Sequence, residues 1–202
     1  MPVAAVLIFA FGDSGDIWEH LVKTSLFGYV TTTLWLMLGV GASVFVTGVS
    51  TAWVVTMCRF PGRKVFEWLL LLPLAMPAYV IAYAYTDFLE FAGPVQGLLR
   101  TIFGWQTARD YFFPEIRSLG GAIMMMGLVL YPYVYLLARS AFLEQSVNVL
   151  EASRTLGRGP WRTFSSVSLP AARPAIAIGV SLALMETLND YGTVDFFAVY
   201  TM

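Results

Sequence analysis

The chain has 202 residues, 58% of them hydrophobic and only 12% charged, with a formal net charge of -1 and a single histidine. Soluble globular domains carry about 25% charged residues, so roughly half of the usual solvating charge is missing, which argues against disorder and against an ordinary water-soluble enzyme. The balance of 12 basic against 13 acidic residues offers no cationic field for nucleic acid, and the lone Cys58 has no companion for a disulfide or a zinc cluster.

Runs long enough to cross about 30 Å of hydrocarbon organise the rest. Val3–Phe11 is apolar but too short to span and lacks the basic start of a signal peptide, so it reads as the tail of a truncated helix. A first full span is predicted over 33–57, where Gly39, Gly41, Gly48 and Ala52 supply small residues; Gly48 and Ala52 have the small-xxx-small spacing that lets helices approach closely. Arg59, Arg63 and Lys64 close that span, and a second follows over 66–86 with Glu67 at its edge. Pro73 and Pro77 inside it, and Pro132 inside the third span over 121–138, remove backbone donors and are expected to kink their helices. The loop 87–120 carries an amphipathic stretch, Val95–Phe103, expected to lie flat at an interface. A fourth span is predicted over 174–195.

Basic residues orient these spans. Arg59, Arg63, Lys64, Arg139, Arg154, Arg158, Arg162 and Arg173 fall on one side, which is expected to face the cytosol. Lys23, Arg100, Arg109 and Arg117 fall on the other, diluted by Asp13, Asp16, Glu19, Asp87, Glu90, Asp110 and Glu115.

The cytosolic segment 139–173 contains NVLEASRTLGRGPWRTFSSVSLPAARP at 148–174. A short helix is expected over Leu150–Leu156, ended by Gly157 or Gly159 in the left-handed conformation, with Pro160 opening a second helix through about Val167 that Leu169-Pro170 breaks. Trp161, Phe164 and Val167 can form an apolar ridge among Arg154, Arg158 and Arg162. A basic connector snorkelling to lipid headgroups would use the same residue types.

Glu151-Ala152-Ser153, three residues, Gly157, nine residues, then Val167-Ser168-Leu169-Pro170 resembles the EAA loop of the membrane subunits of binding-protein-dependent ABC importers. Two positions depart from that pattern: Ser153 stands for the second Ala and Val167 for Ile. The segments 60–96, 128–146 and 184–197 further resemble the N-terminal half of ferric-iron import permeases, while thiamine and polyamine permeases are similar enough to stay open. The resemblance implies an all-α polytopic type I importer permease, a single transmembrane domain over 1–202, in a bacterial inner membrane. It implies a coupling role for Glu151, Ala152, Ser153, Gly157, Val167, Leu169 and Pro170 against a separate ATPase subunit. It also implies a periplasmic solute-binding protein and a second permease half as partners, and no cofactor. Only residues 171–202 follow Pro170, so the chain is expected to be incomplete relative to that family.

In the last span, Glu186 and Asp190 are four apart and share a helical face, with no Lys or Arg after Arg173 to neutralise them. Carboxylates in a bilayer are costly enough to favour a hydrated pathway, so Glu186, Asn189, Asp190 and Asp195 are candidate pathway residues, although a helix that ends early would leave them simply solvated. No metal site or catalytic residue is expected. The phosphate loop GxxxxGK[ST] is absent, as are HExxH and GxSxG, and His20 lies outside the spans. An ion-driven secondary transporter could use the same acids but leaves the EAA spacing without a role.

Overall fold

The computed structural model describes residues 26–107, 110–146, 151, 153, 155, 157 and 159–197. The expectations placed on Val3–Phe11, on His20, Lys23, Arg109 and the acids of the first 25 residues, and on Ala152, Arg154 and Arg158 lie outside them. Among the described residues all regular structure is helical: α1 Leu26–Met57, α2 Arg63–Leu69, a 3-10 turn Leu72–Ala75, α3 Ala78–Leu89, α4 Pro94–Phe103, α5 Leu119–Leu143, α6 Pro160–Thr163, α7 Leu169–Asn189 and α8 Tyr191–Phe196.

The core is the meeting of α1, α5 and α7. In α1 the buried positions are Leu36, Val40, Val44, Gly48, Ala52 and Val55, a stripe at intervals of four and then three, with Val49 beside it, along a helix about 48 Å long. Thr47, Thr51 and Thr56 on this apolar helix are satisfied within it, each hydroxyl donating to the carbonyl four residues back at 2.6, 2.6 and 2.7 Å. α5 is the central element. Its buried set includes Met125, Met126, Val129, Leu130, Val134, Tyr135, Ala138 and Phe142, wider than one stripe because it packs on α1 along one flank and on α7 along another.

Val134 marks an approach shared by all three helices. A Cβ placed on Gly48 of α1 would stand 2.7 Å from Val134 Cβ, and one placed on Gly179 of α7 would stand 2.9 Å from Val134 Cα. Only hydrogen fits at both positions, so two neighbours reach the same turn of α5 from different sides. The small-residue face of α1 is thus used inside the chain. Gly39 meets Ile123 of α5, whereas Gly41 faces Leu184 of α7 at an ordinary 3.6 Å.

Three sequence expectations change. The 66–86 stretch is not one helix: α2 and the 3-10 turn meet α3–α4 at a bend of 100° across Met76 and Pro77. Pro77 has no N–H and pushes its predecessor out of the helical region, and Met76 is extended at φ -123°, ψ 141°. Leu169-Pro170 does not break the second loop helix. The chain stays helical from Pro160 to Asn189 through a π turn at Phe164–Ser168, and that wider turn accommodates Pro170, which follows it without an N–H to donate. The last span does not run to 195. Asp190 leaves the helix at φ -86°, ψ 69° and caps α8, accepting from Thr193 N at 3.0 Å and from Thr193 Oγ1 at 2.5 Å.

Counted by length and composition, α1, α5 and the helical run 160–189 can each cross a membrane, and the bent pair 63–75 and 78–103 makes a fourth crossing if taken as one span. We predict that Gly48→Val, which drives a side chain into Val134 and the Tyr131 carbonyl, lowers stability by about 1–3 kcal/mol. Gly41→Ala, facing open contact distance, should leave the melting temperature in detergent nearly unchanged. Equal melting temperatures for the two variants would contradict the crossing geometry.

Candidate functional site

The two ends of the bundle differ in charge. At one end the C-termini of α1 and α5 meet the N-termini of α2 and α7, together with Arg59, Arg63, Lys64, Arg139, Arg162 and Arg173. The other end holds Glu90, Asp110, Glu115, Asp190 and Asp195 with Arg100 and Arg117.

The basic end is bound together by side chains distant in sequence. Glu67 of α2 lies 3.4 Å from Arg63 and 3.2 Å from Arg139 of α5. Tyr131 and Tyr135 of α5 donate their hydroxyls to the carbonyls of Leu70 and Glu67 at 2.9 and 3.3 Å. Those carbonyls sit where α2 ends and lack helical partners, so α5 satisfies the broken half-span.

The loop motif is anchored at the same end. Glu151, Ser153 and Thr155 are helical, and Gly157 ends that turn at φ 78° with open space where a Cβ would be. Its left-handed backbone is what favours glycine there. Glu151 is exposed, while Ser153 is buried and its hydroxyl lies 2.8 Å from that of Thr163 in α6. This bond clamps the two arms of the loop across the Gly157 turn. Val167, Leu169 and Pro170 are half-buried in the π turn and the start of α7. The expected ridge of Trp161, Phe164 and Val167 is split. Phe164 turns inward, its ring 5.1 Å from Trp53 of α1 and 6.3 Å from Phe142 of α5, whereas Trp161 is 81% exposed. Gln145, just past α5, donates to the Ser168 carbonyl at 2.8 Å. The loop is thereby tied to all three core helices.

Sequence reading missed Trp53, Phe142, Thr163 and Gln145, because each acts through a partner 10 or more residues away. A signal was present for Trp53 alone, a large aromatic one turn before the charged end of a span.

The structure separates the four candidate pathway residues. Glu186 is exposed and lines a cleft of about 360 Å³ whose opposite wall is Pro73–Ala78, the break in the bent span, with Leu130 and Tyr133 between them. Asp190 is engaged as the cap of α8 and lines a different, smaller cavity beside Thr33 and Leu36. Asn189 and Asp195 are exposed. Among the described residues no three His, Cys, Asp or Glu side chains group to hold a metal ion.

At the acidic end a cleft of about 620 Å³ runs between Glu90, Gln96, Tyr111 and Arg117. Arg117 pairs with Glu90 at 2.9 Å, Tyr111 donates to Gln96 Oε1 at 2.5 Å, and the rings of Phe103, Trp105 and Tyr111 stack at 4.7 Å. Backbone N–H groups of Thr107 and Gln106 hold the Asp110 carboxyl below its ordinary range and fix the turn that carries the stack.

The described residues thus form an all-helical bundle with a bent span, a clamped loop and helices long and apolar enough to cross a membrane. Residues 44–202 match the family described as binding-protein-dependent transport system inner membrane component, and the chain belongs to that family. The chain is 30% identical over 145 residues to the molybdenum transport system permease protein ModB of Escherichia coli strain K12, covering 72% of this chain and 60% of ModB. It is 29% identical over 201 residues to the sulfate transport system permease protein CysT of the same strain, covering 98% of this chain and 69% of CysT. It is also 28% identical over 190 residues to PhnU of Salmonella choleraesuis strain SC-B67, provisionally named for 2-aminoethylphosphonate transport, covering 92% of this chain and 65% of PhnU.

The Ser153–Thr163 clamp is testable by an asymmetry. Ser153→Ala strands a buried Thr163 hydroxyl and should destabilise by about 1–3 kcal/mol, whereas Ser153→Ala with Thr163→Val removes both polar groups and should recover most of that loss. Proteolysis of the loop against temperature reads both, and a double variant no better than the single would contradict the clamp.

Proposed function

We propose that this chain forms the translocation pathway of an ABC importer in a bacterial inner membrane and passes the motion of a separate ATPase subunit to its helices through the loop 139–173. The observation that carries the reading is the wiring of that loop: a Gly157 turn clamped by Ser153 and Thr163, seated through Phe164 on α1 and α5, and continuous with α7. Glu151 stands exposed on the first arm, placed to pair with a basic group of the partner. Leu169 and Pro170 carry the push into α7.

A solute-binding protein would deliver cargo at the acidic end, and a second permease half would complete the pathway. Glu186, facing the Pro73–Ala78 break across the cleft, is the pathway residue this reading relies on most; Asn189 and Asp195 are exposed nearby in sequence, and Asp190 serves by shaping the end of α7. The relatives are named for molybdenum, sulfate and 2-aminoethylphosphonate, so the ferric-iron expectation gains no support from them, and we carry the cargo as a small solute.

With the full transporter reconstituted, Glu151→Lys or Gly157→Pro should lose co-purification of the ATPase subunit and reduce uptake at least tenfold, while Glu186→Gln should reduce uptake with the ATPase still bound. Retained ATPase binding in both loop variants would overturn the coupling assignment, and wild-type uptake in Glu186→Gln would overturn the pathway assignment.

A further inference from the structure

The two walls of the Glu186 cleft are carried on toward the acidic end by the chain itself. One wall, the break at Pro73–Ala78, continues as α3; the other, the turn of α7 bearing Glu186, continues past Asp190 as α8. Beyond the cleft these two continuations lie against each other. A Cβ placed on Gly192 of α8 would stand 4.0 Å from the Cβ of Tyr79 in α3, and the ring of Phe196 is 5.9 Å from that of Tyr83. Both steps are four residues, so one face of α8 runs along one face of α3. Tyr79 and Tyr83 remain 61% and 64% exposed, which makes the contact thin.

Arg117 pins the far end of both helices. Its Nε donates to Glu90 Oε1 at 2.9 Å, just past the end of α3, and its guanidinium lies 5.2 Å from the centre of the Phe196 ring. The backbone that carries it is fixed on both sides: Ile116 is buried, and Ser118 caps α5, its hydroxyl accepting from Gly121 N at 3.2 Å. Arg100 is engaged instead within the turn from α3 to α4, over the Phe91 ring at 4.0 Å and on the Phe91 carbonyl at 2.8 Å. Arg117 therefore joins three separate parts of the chain: the end of α3, the approach to α5, and α8. An exposed ion pair and a cation over an exposed ring together bias such a contact by about fivefold, enough to favour it and too little to lock it.

We infer that Arg117 is a positioning residue for solute entry: by holding α8 on α3 it closes the Glu186 cleft at the acidic end, and α3 parts from α8 when solute enters. The inference rests on the reading of that cleft as the translocation pathway. The bend at Met76 and Pro77 supplies the hinge, at the cleft end of α3. The α2 half of the span is tied to α5 by Tyr131 and Tyr135, so the bend lets α3 swing while α2 stays in place.

A reversible bond across the contact tests this in the full transporter with Cys58→Ser. Tyr79→Cys with Gly192→Cys places the two Cβ atoms 4.0 Å apart, within the range a disulfide spans. Oxidation should join them and cut uptake on the order of tenfold, with the ATPase subunit still bound and uptake restored by reductant. In a separate Glu186→Cys chain, an impermeant maleimide added from outside should react about fivefold faster once Arg117→Ala is introduced. Arg117→Lys, which keeps a charge opposite Glu90, should return that rate close to its starting value, and the melting temperature should stay the same in both variants. A pair that fails to oxidise, full uptake with the disulfide formed, or a labelling rate indifferent to Arg117→Ala would overturn the inference. Wild-type uptake in Glu186→Gln overturns the pathway reading instead, whatever the disulfide does.

Discussion

The bundle depends on one crossing. Val134 is fully buried with Gly48 of α1 on one side and Gly179 of α7 on another, each close enough that a methyl group would collide. In lipid, where apolar surface gains little by leaving the solvent, such close backbone contact is what holds helices together. Because both contacts fall on the same turn of α5, a displacement of α7 bears directly on the turn of α5 that α1 also holds. Pro132 lies two residues earlier and weakens the local ladder of α5, so this helix keeps its course through packing on both flanks.

The loop end of the bundle extends that crossing. α7 is continuous through the π turn into α6, and α6 is clamped to the first loop arm by two buried hydroxyls. Phe164 rests on α1 and α5 at once, and Gln145 ties the end of α5 to the start of α7. The first loop arm thus meets the three-helix core through the Ser153–Thr163 contact and Phe164. The bent span is held by both kinds of contact: Ile81 and Ala82 join the buried core, while Glu67 pairs with Arg139 and two tyrosine hydroxyls donate to carbonyls at the end of α2.

What the sequence disclosed followed the range of the interactions responsible. The apolar runs, the basic bias of one end and the loop spacing are local patterns, and the helices at 26–57, 119–143 and 169–189 fall on the stretches those patterns marked. Pro73 and Pro77 announced a disturbance but not its size, since a kink and a 100° bend cost the same backbone donors and differ only in what satisfies them. Here Tyr131 and Tyr135 do so from more than 60 residues away. Asp190 was legible as an acid and illegible as a cap, because the periodic pattern through Glu186 gave no reason to end the helix there; Thr193, which takes up its carboxylate, lies beyond the break. Leu169-Pro170 misled in the opposite direction, since a wider turn upstream accommodates a proline that a strict α-helix would have had to end at.

The central claim is that the loop between α5 and α7 lies on the cytosolic side and is gripped there by a nucleotide-driven partner. A cysteine introduced at exposed Gly159 in a Cys58→Ser background places a single thiol on that loop. Treatment with a membrane-impermeant maleimide should leave it unlabelled in intact cells, label it in inside-out vesicles stripped of the ATPase subunit, and spare it again once that subunit is restored. Labelling from the outside of intact cells, or labelling indifferent to the ATPase, would contradict the account.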